Sequence, residues 1–246
     1  MQHNRLYHDL AWLWPFVSRP EEYASEAAYW RAVLREKLGF GTYALLELGA
    51  GGGHLLAHLA TDFAVTAADA APAMLRQART LIPGLRCLAG DMRTLRLDHA
   101  FDAVIIHDAI LYMTTAADLH AAFATAAAQL RPGGVLLTSV EQYQETFRDN
   151  VVEHATRSDG ATTVTYVEYR CQPDAGAAVE SRMVYFVRRG AALEVYHDRH
   201  VTGLFPFQTW VDAMAAAGFD VERYPYVTHQ DGREIPMLVG TRVEDA

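Results

Sequence analysis

Acidic residues follow three apolar stretches of this 246-residue chain, and one of them stands directly before a run of glycines. Glu47 lies in the segment ELGAGGG, Asp69 ends the segment AVTAAD, and Asp91 lies in AGDM. Glycine leaves backbone amides open to close approach, and carboxylates accept hydrogen bonds from hydroxyl and amine groups. These residues therefore indicate a binding site for a small polar molecule that carries such donors.

The glycine stretch connects a strand-like apolar run at 44–48 to a helical pattern at 55–60. A strand, a glycine loop and a helix N-terminus in that order present backbone N–H groups and a partial positive charge to a ligand. Dinucleotide-binding enzymes carry a comparable loop with the pattern G-x-G-x-x-G. That pattern fits poorly here, because His54 occupies the position of its last glycine.

The carboxylates of the second and third strands suit an adenosine. Asp69 can accept hydrogen bonds from both ribose hydroxyls, or it can cap the helix that begins at Pro72. Asp91 is placed for the exocyclic amine of adenine and Met92 for its ring face, while a plain turn aspartate is the alternative. The residues by themselves leave both alternatives open.

A second group of polar residues follows the fourth and fifth strands. His107 and Asp108, in IIHDAILYM, are candidates for holding an acceptor and taking its proton. Alternatively, His107 bonds the cofactor or the backbone and Asp108 caps the next helix. Tyr112, one turn further on, is either a substrate contact or a core residue, and we expect Glu141 and Tyr143 to face the same cleft.

The segment HDRH, residues 197–200, lies on a predicted strand. Side chains alternate along a strand, so His197 and Arg199 face one way while Asp198 and His200 face the other. This alternation argues against a shared metal site, and we expect no metal. We select Arg199 as a substrate contact on the face that looks into the site.

Short apolar runs alternate with helical patterns through the first part of the chain. The predicted strands are 44–48, 64–68, 85–89, 103–106 and 135–140, and the predicted helices are 55–60, 72–81 and 115–130. This order predicts an α/β fold with a doubly wound, mostly parallel sheet.

The remaining parts complete a single domain over 1–246. Residues 1–40 predict a helical lid of two helices broken near 15–20, and 143–202 predict an antiparallel β insertion. Residues 41–142 and 203–246 then form the core, with a helix at 208–217 and closing strands at 219–227 and 236–243.

Composition narrows the range of partners. The formal net charge of −9 and the lack of a basic run argue against nucleic acid and anionic membranes. Cys87 and Cys171 are too few for a disulfide framework, and no leader or long uncharged apolar window is visible. We expect a cytoplasmic protein that acts on a small molecule.

Together the motifs resemble the class I S-adenosylmethionine-dependent methyltransferases. ELGAGGG matches their E/D-x-G-x-G-x-G loop, Asp69 their ribose acid, GDM their adenine contact, FDAVIIHDAI their fourth strand, and LRPGGVLLTSV their turn into the fifth. The resemblance implies a seven-stranded Rossmann-like sheet and S-adenosylmethionine as cofactor, with S-adenosylhomocysteine as product. The cofactor-binding residues that it implies are Tyr7, Tyr23, Glu47, Gly49, Ala50, Gly51, Gly53, Asp69, Ala70, Met74, Asp91, Met92 and His107.

Outside that core, the N-terminal segment and the insertion resemble the bacterial small-molecule branch that includes amino-sugar N,N-dimethyltransferases. The resemblance implies that both parts close over the cofactor and form the acceptor pocket, and that the acceptor is an amine. The segment SVEQYQETF departs from the EPWW-like segment of the sugar enzymes. An O-methyltransferase, a non-catalytic cofactor-binding subunit and a homodimer with an aromatic interface stay open.

Overall fold

A mixed seven-stranded sheet forms the centre of the molecule, which is described here by a computed structural model over residues 4–173, 176–227 and 234–243. Its strands are β1 (Ala44–Leu48), β2 (Ala64–Asp69), β3 (Arg86–Ala89), β4 (Phe101–Ile106), β5 (Leu130–Ser139), β10 (Phe219–Val227) and β11 (Glu234–Arg242). They lie in the order β10, β11, β5, β4, β1, β2, β3. β1 to β5 run parallel, whereas β11 is antiparallel to both of its neighbours. The predicted fold class is confirmed.

Helices cover both faces of this sheet. They are α1 (Trp14–Val17), α2 (Ala24–Leu38), α3 (His54–Leu59), α4 (Pro72–Leu81), α5 (Ala116–Gln129) and α6 (Phe207–Ala216). Successive strand residues point to opposite faces, so Leu45 packs in the core beneath α2, α3 and α4, while Leu46 packs beneath α5 and α6. Burial on both faces explains why the strands are apolar almost without interruption.

The strand order reverses between β1 and β4, which are hydrogen-bonded neighbours. The chain leaves β1 toward β2 on one side and reaches β4 on the other side, so a crevice opens at the carboxyl ends of these strands. In open α/β sheets ligands bind at such a point. The residues after β1, β2 and β4 therefore meet at one edge of the sheet.

A separate four-stranded antiparallel sheet contains β6 (Val151–Ser158), β7 (Thr162–Cys171), β8 (Ala178–Arg189) and β9 (Ala192–Gly203), in that order. Its inner face packs against Leu6, Leu10 and Leu13 of the N-terminal segment. Residues 4–23, called the N-terminal cover below, thus lie between this sheet and the main sheet.

The structure corrects several predicted boundaries. Residues 5–23 form short 3-10 turns and the four-residue α1 in place of a first regular helix, and α2 is the one long helix of this part. Pro15 lacks a backbone N–H, so it is tolerated in the first turn of α1 but could not continue a helix from residues 11–13. Residues 141–150 form turns and bends before β6, and β5 begins at Leu130 rather than 135.

The described residues include no helix with the length and hydrophobicity required to cross a lipid bilayer. Residues 1–3 of the predicted lid, 174–175 of the predicted insertion, and 228–233 and 244–246 of the predicted core lie outside the described residues.

Candidate functional site

A cavity of about 370 Å³ lies at the carboxyl ends of β1, β2 and β4, under the N-terminal cover. Most of the residues selected from the sequence line it: Tyr7, Tyr23, Glu47, Gly49, Ala50, Gly51, Asp69, Ala70, Asp91, Met92, His107, Asp108 and Tyr112. The cover also contributes Trp14, and α3 contributes His54.

The glycine loop and Asp69 form one hydrogen-bonded unit. The Asp69 carboxylate accepts hydrogen bonds from the backbone N–H groups of Gly51, at 2.8 Å, and Ala71, at 2.7 Å. Gly49 and Gly51 have φ values of 77° and 53°, a region that favours glycine. A Cβ on Gly49 would lie 2.2 Å from the Cβ of Ala109, so the close approach of the loop to the segment after β4 also requires glycine.

Asp69 therefore does not cap α4 in the usual way, since the residue before that helix is Ala71 and no side chain caps it. Burial raises the pKa of Asp69 above its ordinary value, although the two backbone donors act in the opposite direction. Its carboxylate lines the cavity and fixes the loop at the same time.

Glu47 is a buried carboxyl group with 3% of its surface exposed. Its Oε2 atom makes no hydrogen bond to the described residues, and the side chain lines the cavity. Burial raises the pKa of Glu47 to about 8, and the nearby negative charges of Asp69, Asp108 and Glu26 add to this, while His107 opposes it. A cationic donor in the cavity would complete the hydrogen bonding of this group.

Asp91 also lines the cavity, and its carboxylate is paired with the side chain of Arg93. Arg93 forms an ion pair with it at 2.6 Å and bonds Asp118 at 2.8 Å. The side-chain hydrogen bond from Arg93 holds the pKa of Asp91 below its usual value. Asp91 is thus an ionised carboxylate at the cavity wall, with Met92 beside it.

His107 lies between two carboxylates that come from different elements. Its Nε2 is 2.6 Å from Oε1 of Glu26 on α2, and its Nδ1 is 3.1 Å from Oδ1 of Asp108. Burial by itself would lower the pKa of His107, but Asp108 and Glu26 outweigh it and hold that pKa well above the ordinary value. An imidazolium carries a proton on each nitrogen and has no lone pair with which to accept another.

Glu141 completes this carboxylate cluster, which we define as Glu26, His107, Asp108 and Glu141. Burial first, and then the charge of Asp108, raises the pKa of Glu141 well above its ordinary value, and the two side chains share a hydrogen bond. Glu26, His107 and Glu141 offer ligand atoms within 4.8 Å of one another. Nε2 of His107 lies 2.6 Å from Oε1 of Glu26, so these two members of the cluster share a hydrogen bond.

A second hydrogen-bonded chain leaves the other side of the cavity. The hydroxyl groups of Tyr7 and Tyr112 are 2.9 Å apart, and the Tyr112 hydroxyl is 2.5 Å from Nδ1 of His200. Nε2 of His200 is 2.8 Å from Oδ2 of Asp198. Desolvation by burial raises the pKa of Tyr7 and of Tyr112, so both are neutral phenols.

The N-terminal cover closes the cavity near α3. Nε1 of Trp14 donates to Nε2 of His54 at 3.2 Å, and Nδ1 of His54 lies 3.0 Å from Oγ of Ser18, whose hydroxyl is 3.2 Å from that of Tyr23. Burial lowers the pKa of His54 to about 4, so the ring is neutral. Because Trp14 can only donate, Nε2 of His54 is the acceptor and Nδ1 carries the proton.

Five selected residues lie outside the cavity lining: Gly53, Met74, Glu141, Tyr143 and Arg199. A Cβ on Gly53 would lie 3.0 Å from the Cβ of Ala78, so this glycine allows α3 to approach α4. Met74 is fully buried beneath the loop. Glu141 reaches the cavity only through Asp108, and Tyr143 packs against Phe207 with ring centroids 5.5 Å apart.

The expectation for Arg199 requires a correction. Its side chain forms an ion pair with Glu180 on the other face of the antiparallel sheet, whereas Asp198 and His200 are buried toward the cavity. The alternation along β9 was predicted, but the inward face is the opposite one. That face is chosen by the N-terminal cover, because Asp198 accepts hydrogen bonds from the backbone N–H groups of Arg5 and Leu6.

Sequence reasoning also missed Glu26. On α2 the buried residues include Glu26, Ala27, Trp30 and Leu34, which share one helix face. The i, i+4 spacing of Glu26 and Trp30 would have indicated a carboxylate on the buried face, where it needs a partner. The residues around Glu26 in the sequence do not indicate that its partner is His107, which lies 81 positions away.

Comparisons with known proteins agree with this geometry. Residues 45–134 match the family model described as a methyltransferase domain. The chain is 31% identical over 211 residues to the dTDP-3-amino-3,4,6-trideoxy-alpha-D-glucopyranose N,N-dimethyltransferase of Streptomyces venezuelae, covering 84% of this chain and 87% of that protein.

Two solved structures are similar over nearly the whole chain. DesVI of Streptomyces venezuelae is 27% identical with a TM-score of 0.83, covering 99% of this chain and 100% of that chain. CalS10, an amino pentose methyltransferase of Micromonospora echinaspora solved with S-adenosylmethionine bound, is 31% identical with a TM-score of 0.77, covering 90% of this chain and 92% of that chain. The chain belongs to the S-adenosylmethionine-dependent methyltransferases, and S-adenosylmethionine is its cofactor.

Proposed function

We propose that this enzyme methylates an amine nitrogen on an amino sugar. The observation that carries the proposal is the position of Asp108, which lines the cavity after β4, whereas the carboxyl groups at the ends of β1, β2 and β3 suit the cofactor. A carboxylate at this position favours an acceptor that carries an amine and hydroxyl donors. The N,N-dimethyltransferases to which the chain is similar are named for amino-sugar substrates, which combine these groups.

The residues present fit the cofactor. Asp69 offers acceptors for ribose hydroxyls, and Asp91 with Met92 offers an acceptor and an apolar contact for adenine. Oε2 of Glu47 is a buried acceptor that suits the ammonium group of the methionine end. When bound, S-adenosylmethionine supplies a methyl group already activated on a sulfonium.

In this proposal the protein acts mainly by positioning. Tyr7, Tyr23 and Trp14 of the cover exclude water from the cavity, and Asp108 holds the amine. His107 does not serve as a general base, because the carboxylates beside both of its nitrogens hold it as the imidazolium. It orients Asp108, whose Oδ1 lies 3.1 Å from Nδ1 of His107 at the cavity wall.

The test combines binding and transfer. Calorimetry with S-adenosylhomocysteine measures occupation of the cofactor site, and mass spectrometry then follows methyl gain on dTDP-3-amino-3,4,6-trideoxy-α-D-glucopyranose and dTDP-3-amino-3,6-dideoxy-α-D-glucopyranose. dTDP-glucose, catechol and free amino sugars are the comparison acceptors. We expect methyl gain on an amino sugar and none on dTDP-glucose or catechol.

Asp108→Asn is the informative variant, with Asp98→Asn on the exposed surface as its control. We expect the first to raise KM for the amine and the second to change nothing. Transfer to catechol but to no amine would identify an O-methyltransferase and contradict the proposal. Tight binding without any transfer would favour the non-catalytic role.

A further inference from the structure

We propose that Tyr7, Tyr112 and His200 form a relay that removes the proton from the acceptor amine, with Asp198 stabilising the charge that His200 acquires. This inference rests on the proposed amine transfer and adds the destination of the proton. Tyr7 and Tyr112 line the cavity, whereas His200 and Asp198 lie behind them with 4% and 1% of their surfaces exposed.

The four groups form an unbroken chain. Successive polar atoms are separated by 2.9 Å between the two hydroxyls, 2.5 Å from the Tyr112 hydroxyl to Nδ1 of His200, and 2.8 Å from Nε2 to Oδ2 of Asp198. The rings of Tyr7 and His200 also pack edge to face, with centroids 5.3 Å apart. Each distance lies within the range of a hydrogen bond, so a proton can pass from one group to the next.

The direction of these bonds follows from the acid at the inner end. Burial acts to raise the pKa of Asp198, but that pKa lies below the ordinary value, and the backbone N–H groups of Arg5 and Leu6 donate to the carboxylate at 2.9 and 2.7 Å. An ionised carboxylate can only accept, so Nε2 of His200 donates and Nδ1 accepts from Tyr112. Tyr112 then accepts from Tyr7, and the remaining lone pair of the Tyr7 oxygen is available to a donor in the cavity.

An N–H of the protonated acceptor amine is such a donor. As the amine nitrogen gives up its proton, an O–H bond forms at Tyr7 while the original Tyr7 proton moves to Tyr112. The Tyr112 proton moves to Nδ1 of His200 in the same way. Three bonds to hydrogen break and three form, both tyrosines end as neutral phenols, and the positive charge passes from the amine to the His200–Asp198 pair.

High phenol pKa values do not prevent this transfer, because neither tyrosine needs to exist as a phenolate. The same values make Tyr7 or Tyr112 a poor base when acting alone. His107 cannot replace His200, since both of its nitrogens face carboxylates. His200 offers an acceptor nitrogen that is connected to the cavity through the hydroxyl groups of Tyr112 and Tyr7.

The surroundings suit a cation at His200. Asp198 faces it from β9 itself, Tyr112 from the segment after β4 and Tyr7 from the N-terminal cover. The neighbouring strand β8 places Ser181 beside it and contributes Tyr185 to the same buried region. Two negative charges also act on the relay. Glu168 on β7 raises the pKa of Tyr112, and Asp108 raises the pKa of Tyr7.

A first experiment determines the tautomer of His200 in the protein without cofactor or acceptor. Nitrogen-15 NMR of the histidine side chains distinguishes the two neutral tautomers, and His200→Gln assigns the signal. We expect His200 to carry its proton on Nε2 when neutral, and Asp198→Asn to abolish that preference. A neutral tautomer protonated on Nδ1 would reverse the hydrogen bonds and overturn the relay.

A second experiment measures kcat and KM against pH with the amino sugar that the wild-type enzyme methylates. We expect His200→Gln and Tyr112→Phe to lower kcat about 100-fold, with KM almost unchanged, and to remove the fall in kcat on the acid side. His197→Gln is the matched control, because its side chain is exposed on the opposite face of the same strand. Circular dichroism checks that each variant is folded.

The outcomes separate the relay from the proposed function. Parallel pH profiles in the wild-type enzyme, His200→Gln and Tyr112→Phe would overturn the relay while leaving amine transfer intact. No methyl gain on either amino sugar would overturn the proposed function. The tautomer measurement would in that case still decide the bond direction on which the relay depends.

Discussion

At the scale of single residues, the site depends on charges placed where water cannot screen them. Glu47 and His107 are buried and Glu141 is partly buried at the edge where β1, β4 and β5 end, and each holds its proton more tightly than it would in water. Ligand binding and proton binding are consequently linked at these positions.

Asp69→Ala is expected to weaken binding of S-adenosylhomocysteine by about 1–3 kcal/mol, since it removes an acceptor for the ribose hydroxyls. It also releases the backbone N–H of Gly51 from its partner. Titration calorimetry measures the affinity, with Asp98→Ala on the exposed surface as control. Equal affinity in Asp69→Ala and wild type would remove Asp69 from the cofactor site.

Glu47 predicts proton release when the cofactor binds. With its pKa raised to about 8, Glu47 is largely protonated at neutral pH, and an ammonium group beside it favours the carboxylate. Affinity should therefore rise as pH approaches 8 and then level off. Calorimetry at pH 7 in two buffers of different ionisation enthalpy measures the released proton, and Glu47→Gln should abolish the difference between buffers. The same proton count in both proteins would contradict the assignment.

At the scale of elements, the N-terminal cover is held in place by strands distant in sequence. Arg157 on β6 donates to the carbonyl of Val17 at 3.0 Å and pairs with Glu22 at 2.8 Å. On the opposite side Asp198 binds the backbone of Arg5 and Leu6. The antiparallel sheet thus acts as the anchor of the segment that encloses the cavity.

Arg157→Met should loosen the cover while retaining the aliphatic stem of the side chain. We expect faster hydrogen exchange at residues 4–23 and an approximately threefold faster release of S-adenosylhomocysteine, consistent with a partly exposed ion pair. Arg170→Met is the control, because Arg170 pairs with Glu153 and Glu168 inside the antiparallel sheet. If both variants release the ligand at the same rate, β6 does not anchor the cover.

At the scale of the whole molecule, the buried acids and His107 set how stability depends on pH. Between pH 4.5 and about 8 the folded protein keeps the Glu47 proton that the unfolded chain loses. His107 and Glu141 act in the same direction, because their folded-state pKa values are also raised. Each such proton lowers the free energy of unfolding by up to about 1.4 kcal/mol per unit of rising pH.

Urea denaturation at pH 6 and pH 8 should accordingly show lower stability at pH 8. Glu47→Gln should reduce this loss, since the amide has no proton to release, whereas Asp98→Asn should retain it. A free energy of unfolding that stays constant or rises over this range would show that these protons are not retained in the folded protein.

We propose that the single domain consists of a lid, a core and an insertion, and that two copies of the chain form a homodimer. Sedimentation of the full chain measures the oligomeric state.

Much of the fold and half of the site follow from local patterns. Apolar strands, the glycine loop and the acids at strand ends are short-range signals, because each depends on which residues one element must bury or expose. They indicate that Glu47, Asp69 and Asp91 share one edge of the sheet, and all three line the cavity. Parallel strands bring such residues together by topology alone.

Tertiary structure decided the remainder, because it depends on contacts between residues far apart in the chain. Glu26 meets His107 across 81 positions, Tyr112 meets His200 across 88, and Leu6 meets Asp198 across 192. A strand that alternates faces does not reveal which face is inward until something packs on it. The cover packs on β9, and this contact buries Asp198 and His200 while leaving Arg199 paired with Glu180.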